Sequence, residues 1–319
     1  MNAAVVRSFG DPPAYEPFPT PTPTSAEEML IDVVAAGLHP RTRSSADGSH
    51  YTSSGQLPMI PGLDGVGRDP DGQLRYFILH DTPLGSMAEQ VVIDARRSVV
   101  LPAGTDVLTV AAAMNPAMAS WIALRKRIAF QPGQSVLVLG ATGSAGQMTV
   151  QIAKHLGASH VVAAGRDPAR LAALSELGAD TTVSLAGDAD TADRALAQAA
   201  AEVDVVLDFL WGPATERTMP AVLTHRTDKS RPLTWVEIGS MSGLEITLPS
   251  AWLRAVRIQL VGSGQGSVST GEIVGELPAL AAEISSGAYG IDAVSAPLSE
   301  VQTTWNAPVA PGQRIVFVP

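Results

Sequence analysis

The stretch from Ser135 to Gly157 constrains this chain more than any other. Ser135-Val-Leu-Val-Leu139 is a nearly unbroken apolar run that leads directly into Gly140-Ala-Thr-Gly-Ser-Ala-Gly146. Beyond the glycines, Ala145, Met148, Ile152 and Leu156 recur at helical spacing until Gly157. Such a run reads as a parallel strand covered on both faces, and the recurrence as one face of a helix. Glycine spacing alone is a weak signal, but between a buried strand and an amphipathic helix it predicts a turn that a pyrophosphate can approach. Gly143 permits that approach, and Gly146 lets the helix pack on the strand. The N–H groups of Gly143, Ser144, Ala145 and Gly146, with Thr142 beside them, then meet phosphate at the positive end of the helix dipole.

The same alternation continues downstream. Strands are predicted at 160–164, 181–185, 203–209, 234–239 and 258–262, with helices at 168–177, 191–201, 214–223 and 271–286 between them. This pattern predicts an α/β fold with a doubly wound parallel sheet in the second half of the chain. The first 108 residues read differently, as short strands (2–7, 29–36, 88–93, 98–101) cut by segments such as Pro19-Thr-Pro-Thr-Pro-Thr24. An Ala-rich helix at 110–127 separates the two styles, and 312–319 is a strand again. A length of 319 residues suits two domains.

Composition narrows the function. The chain carries 21 Lys and Arg against 31 Asp and Glu, a net charge of −10, which disfavours nucleic acid and anionic membrane as partners. No long apolar leader is expected at the amino terminus, and no apolar run of membrane-spanning length, so a soluble cytoplasmic protein is expected. There is no cysteine, which removes disulfides, thiolate catalysis and sulfur-bound zinc. The six histidines show no metal-ligand spacing.

Cofactor choice rests on the end of the second strand. An NAD enzyme places a carboxylate about 20 residues beyond the glycines, whereas a 2′-phosphate needs a cation. Here Gly165 is followed by Arg166, with Arg170 one turn on. A guanidinium can stack on adenine and pair with phosphate, so NADPH is expected. Asp167 reads as a helix N-cap; turned toward the ribose, it would favour NADH instead.

Several stretches in this order and spacing resemble the medium-chain dehydrogenase/reductases, in their zinc-independent quinone oxidoreductase branch. They are Gly37-Leu-His-Pro40, Gly48-Ser-His-Tyr51, Pro58-Met-Ile-Pro-Gly-Leu-Asp-Gly-Val-Gly67, Gly85-Ser-Met-Ala-Glu89, the run from Gln131 to Gly143, Asp204-Val-Val-Leu-Asp208 and Val236-Glu-Ile-Gly239. The resemblance implies a GroES-like, partly open β-barrel from 1–110 and 287–319, and a Rossmann NADP-binding domain from 111–286. It also implies an active site in the cleft between the domains and a homodimer formed through the edge strand Ile258 to Gly262. Where zinc enzymes of this superfamily carry a His-Glu pair, this chain has Leu63-Asp64, so no metal is expected. Without a Lewis acid, hydride transfer to a quinone or an α,β-unsaturated carbonyl is easier than alcohol oxidation, because the charge spreads over a conjugated carbonyl.

The resemblance also supplies site residues. Tyr51 matches a tyrosine placed over the nicotinamide, and a packing role is equally open to it. His39 stands where relatives have Asn, either as a proton donor or as a hydrogen-bonded structural histidine. Arg41 replaces a usual Asp and could hold an acidic group or face solvent. Asn115 is a candidate for the carboxamide and Trp121 for substrate or packing. Phe209 and Leu210 are placed beside adenine or ribose, and Gly239, Ser240, Gly262 and Ser263 near the nicotinamide, unless they are ordinary strand-end turns. Two alternatives accompany the quinone or enone reductase: a reductase of enoyl thioesters or polyketide-like enones, and an NADPH-binding redox sensor without turnover.

Overall fold

The computed structural model describes residues 1–50, 52–53, 55–80, 82–310 and 312–319. Contacts divide the chain into Met1–Pro116 with Val274–Pro319, and Ala117–Ile273. The sequence reading sets these limits at 110/111 and 286/287. The observed divisions fall inside two helices whose apolar pattern runs on without a break, so no change of composition marks them.

The first unit is built on β1 (Asn2–Val5), β2 (Ala14–Pro17), β3 (Glu28–Gly37), β4 (Asp64–Arg68), β5 (Leu74–Ile78), β6 (Gln90–Asp94) and β7 (Ser98–Val100), with helix α1 (Pro40–Ala46) and the first part of α2 (Val107–Ile122). Strands β1 and β2 form an antiparallel pair. The ten-residue β3 is the hub, pairing with both β4 and β6. Glycine is needed where β4 meets it: a Cβ on Gly67 would lie 2.6 Å from the Asp32 carbonyl oxygen. Ile31, Val33, Phe77, Met87 and Val91 fill the core beneath.

The second unit alternates strand and helix: β8 (Ser135–Leu139), α3 (Ser144–His155), β9 (His160–Gly165), α4 (Pro168–Glu176), β10 (Thr181–Ser184), α5 (Ala189–Ala200), β11 (Val205–Asp208), α6 (Gly212–Thr224), β12 (Leu233–Glu237), α7 (Ser250–Ala255) and β13 (Ile258–Gly262). All its strand pairs are parallel, in the order β10-β9-β8-β11-β12-β13. Renumbered from β8, this is 3-2-1-4-5-6, whose switch point between the first and fourth strands is where open α/β sheets bind dinucleotides. The apolar runs are buried on both faces as expected: Leu137, Leu139, Val206 and Leu207 are fully enclosed, each stabilising the sheet by about 2 kcal/mol.

The chain then returns to the first unit through α8 (Thr270–Ser285), β14 (Asp292–Pro297), α9 (Val301–Thr304) and β15 (Gln313–Val318). The last strand pairs with β14 and with β3, completing a seven-stranded sheet.

One expectation needs correction. Among the described residues, the helix over 107–127 is long and apolar enough to cross a membrane by length and composition, although 67 % of its apolar window is buried inside the protein. Its last turn, Ala123–Arg127, is a π-helix. The apolarity comes from alanines packed in the interior, with Ala111, Ala112, Ala113 and Ala117 all enclosed.

Candidate functional site

The glycine-rich turn is built almost wholly from backbone. Gly140 adopts φ +84°, turning the chain out of β8. Its N–H and that of Ala141 both donate to the Ala164 carbonyl at 3.0 Å, tying the turn to β9. A Cβ on Gly146 would overlap the Gly140 carbonyl oxygen and lie 2.6 Å from the Ala141 Cα. Both obstacles are main chain and cannot move aside, so α3 reaches this close only with glycine. Gly143 is the N-cap of α3 and has no side chain to cap it. The N–H groups of Ser144, Ala145 and Gly146 are therefore first-turn donors without helical acceptors. Thr142 packs on the end of β9, where a Cβ on Gly165 would meet its Cγ2 at 2.5 Å.

Just beyond Gly165, Arg166 is exposed. The Asp167 carboxylate accepts from the Arg170 N–H at 3.1 Å, so it serves as the cap of α4. Arg170 is half-buried, and its Nε has no hydrogen-bond partner. Burial lowers its pKa from the ordinary value, against the pull of Asp167. The second strand thus ends in two guanidinium groups, while the nearby carboxylate is occupied by main chain.

Across the switch point, the fourth strand ends on Asp208, which belongs to one of the family-like stretches but has no role assigned from sequence. Asp208 is fully buried. One of its oxygens accepts from the N–H groups of Leu210 and Trp211 at 2.9 and 3.1 Å. The other accepts from Thr215 Oγ1 at 2.6 Å and Trp235 Nε1 at 3.0 Å. These bonds hold a turn in which Trp211 takes φ +50°, a conformation that costs a non-glycine residue about 1 kcal/mol or more. The turn brings Leu210 against the glycine loop: a Cβ on Gly140 would lie 3.0 Å from Leu210 Cδ2 and 3.4 Å from Phe209 Cβ. The turn after β12 is stitched to it, with Met241 N–H donating to the Phe209 carbonyl and Ser242 N–H to that of Leu210. Gly239 lies beside Phe209, and Ser263 N–H donates to the Glu237 carbonyl at 2.8 Å. The structure therefore gathers Thr142, Gly165, Phe209, Leu210 and Gly239 around one edge of the sheet, and ties Ser263 to the end of β12. The signal that could have revealed Asp208 is a carboxylate ending an otherwise apolar strand.

In the first unit, His39 is 1 % exposed. Its Nε2 faces Asp64 Oδ1 at 3.2 Å, both groups being enclosed. The other Asp64 oxygen accepts from the Tyr76 hydroxyl at 2.8 Å, and Ser86 Oγ donates to the Asp64 carbonyl at 2.6 Å. Gly37 makes room for the imidazole, since a Cβ there would sit 2.6 Å from Nε2. Arg314 donates to the Leu38 carbonyl at 3.3 Å. Burial pushes His39 below its ordinary pKa, with Asp64 opposing. Burial, reinforced by Asp64, raises the Tyr76 phenol well above its usual range. Burial also lowers Arg314 to about 10. The sequence reading offers His39 as a proton donor, but this environment keeps it neutral and enclosed.

The remaining candidates fall as follows. Tyr51 lies outside the described residues. Arg41 is half-buried on α1, with Nη2 3.5 Å from Thr52 Oγ1. Near it is a small open cavity of about 30 Å³ lined by Phe9, Met59, Leu63, Ser45, Ser53 and Thr82, among others. Asn115 is half-buried on α2. Trp121 is 2 % exposed, capped by the Arg125 guanidinium 4.9 Å from its ring and flanked by His155 at 6.1 Å. It is thus packed within the second unit. Among the described residues, no three His, Asp or Glu side chains group as a metal site.

Residues 145–281 match the family described as zinc-binding dehydrogenase. The chain is 30 % identical over 362 aligned positions to a probable NADPH-dependent quinone reductase of Emericella nidulans, tdiC, covering 100 % of both chains. It is 28 % identical to the 2-methylene-furan-3-one reductase of Solanum lycopersicum, over 49 % of this chain and 44 % of that one. The quinone oxidoreductase from Thermus thermophilus, solved also with NADPH, superposes with a TM-score of 0.83 at 24 % identity, covering 100 % of both chains.

Proposed function

Because this chain belongs to the medium-chain dehydrogenase/reductase superfamily, in its quinone oxidoreductase-like branch, we propose that it is an NADPH-dependent oxidoreductase that transfers hydride to a quinone or an α,β-unsaturated carbonyl. The observation that carries the cofactor is the pairing of a backbone phosphate turn with two arginines at the end of β9. The residues fit the group: Gly146 is forced by main-chain proximity, Gly143 leaves the helix end uncapped, and Arg170 Nε lacks a partner. Ser144, Ala145 and Gly146 hold the pyrophosphate by N–H donation, and Arg166 and Arg170 hold the 2′-phosphate. When bound, NADPH supplies the hydride from its nicotinamide.

On the acceptor side, the cavity near Arg41 has apolar walls and hydroxyl groups but room for only about one water-sized group, so it supplies a polar contact rather than a whole acceptor pocket. Tyr51 is our candidate for holding the substrate oxygen or the cofactor ring. Arg41 and Asn115 are candidates for polar contacts to the acceptor and the carboxamide. We assign His39 to a structural role, as a neutral, buried group packed beside Asp64. Zinc-independence is supported by Leu63, which cannot ligate a metal, and by the absence of cysteine from the sequence. A homodimer through β13 is supported by the place of that strand at the edge of the parallel sheet. The interior packing of the helix over 107–127 supports a soluble protein, and the cytoplasm is our proposed location.

The direct test is NADPH oxidation with a panel of quinones and a panel of enones. Turnover of either class is the expected result, with Tyr51→Phe lowering kcat more than NADPH affinity. Tight NADPH binding without reduction of any acceptor would instead establish the redox-sensor alternative. The relative acting on 2-methylene-furan-3-one favours including exocyclic enones in the panel.

A further inference from the structure

Glu237 ends β12, in register with Asp208 at the end of β11 and with Gly262 at the end of β13. A Cβ on Gly262 would lie 3.8 Å from Glu237 Oε2, so the side chain reaches across to the end of β13. Asp208 is fully committed, with both oxygens occupied by the bonds described above. The Glu237 side chain is half-buried, and no hydrogen bond or ion pair among the described residues holds it. A dinucleotide lying across the switch point places its adenosine half over β8 to β10, where Arg166 and Arg170 stand, and its second nucleotide over β11 to β13. Glu237 is thus an uncommitted carboxylate at the nicotinamide half of the sheet edge.

We propose that Glu237 is an electrostatic positioning residue for the nicotinamide, its carboxylate favouring the oxidised, cationic ring over the reduced, neutral one. The proposal rests on the reading of the chain as an NADPH enzyme. Hydride transfer moves two electrons and one hydrogen to the quinone or enone and leaves one positive charge at the donor ring. A carboxylate nearby stabilises that charge as it develops. Among the described residues, Asp208 is the charged group that acts on Glu237, facing it from β11. On the β13 side, Arg127 of the π-turn donates from Nε to the Gly262 carbonyl at 2.7 Å. Burial, with Asp208 opposite, raises the Glu237 pKa above its ordinary value. The preference for the oxidised form should therefore grow as pH rises and the carboxylate ionises.

The test is direct binding of NADPH and of NADP⁺ to the wild type, Glu237→Gln and Glu237→Asp across about pH 5 to 8.5. The 2′-phosphate titrates in both nucleotides, so it cancels in the ratio of their dissociation constants. In the wild type the ratio should shift toward NADP⁺ by roughly threefold to tenfold with rising pH, the scale of a partly exposed charge contact. Glu237→Gln should be flat, and Glu237→Asp should keep part of the slope. A flat wild-type ratio, or an unchanged slope in Glu237→Gln, overturns the proposal while leaving the NADPH reading intact. Failure of the wild type to bind either nucleotide overturns both. Should the Gln variant not fold, the wild-type slope together with that of the Asp variant decides.

Discussion

The phosphate turn of the second unit and the buried polar cluster of the first place their chemistry in opposite ways. The turn occupies one continuous stretch, Gly140 to Gly146, and works through N–H groups and through the absence of side chains. The cluster draws His39, Asp64, Tyr76, Ser86 and Arg314 from distant parts of the chain and works through side-chain contacts inside the protein. A site made of backbone is robust to most substitutions and intolerant of any that adds a Cβ at a close approach. A site made of buried side chains is sensitive to the loss of each partner, because whatever remains is left desolvated and unpaired.

The contrast can be broken at four points. Gly146→Val should have the largest effect. Its side chain has no space against Gly140 and Ala141, so NADPH binding should vanish in a calorimetric titration while circular dichroism still shows the first unit folded. Asp64→Ala should follow: leaving Tyr76 and His39 without their partner should destabilise the protein by about 3 kcal/mol in denaturant titration. A double-mutant cycle with Tyr76→Phe should show coupling, whereas simple additivity would mean that the cluster is not a unit. Arg166→Asp ranks third, with NADPH affinity falling by roughly tenfold to a hundredfold and NADH affinity little changed. An equal loss for both nucleotides would assign Arg166 to the adenine rather than to the 2′-phosphate.

The smallest expected effect is a pH slope. Burial holds His39 below its ordinary value of 6.5. Below about pH 6.5 the unfolded chain thus binds a proton that the native state refuses, so stability rises with pH by at most about 1.4 kcal/mol per unit. Carboxylates held low in the native state slope in the same direction. The informative quantity is therefore the difference between wild type and His39→Gln between about pH 5 and 7, where the variant should be flatter. An identical slope would show that His39 does not titrate differently on folding.

Legibility follows the same division. The boundaries of β8 and β13 agree with the sequence reading to the residue, and those of β9, α3 and α4 to within one or two. Each is an apolar run or an amphipathic repeat bounded by glycine or by a capping residue. The hairpin of β4 and β5, helix α1 and strand β14 are not anticipated. Asp64-Gly-Val-Gly-Arg68 is glycine-rich because β3 lies so close, and nothing local announces that proximity. Asp208 is only partly legible along the chain: its donors at residues 210, 211 and 215 lie within seven residues of it, whereas the Trp235 donor is brought to it by the pairing of β11 with β12. For Asp167, the local rule is sufficient, because an N-cap bonds within its own turn.

What could be read from residues in order was therefore whatever physics acts over short distances along the chain: strand and helix periods, caps, the glycine turn, and the run of Gly165 into Arg166. Those features already pointed to a parallel nucleotide-binding sheet and to a phosphate-bearing cofactor. The enclosure of His39 beside Asp64, the commitment of Asp208 and the freedom of Glu237 belong to the folded molecule. A carboxylate's role depends on which donors surround it and how much water it keeps, and both follow from contacts between segments remote in sequence.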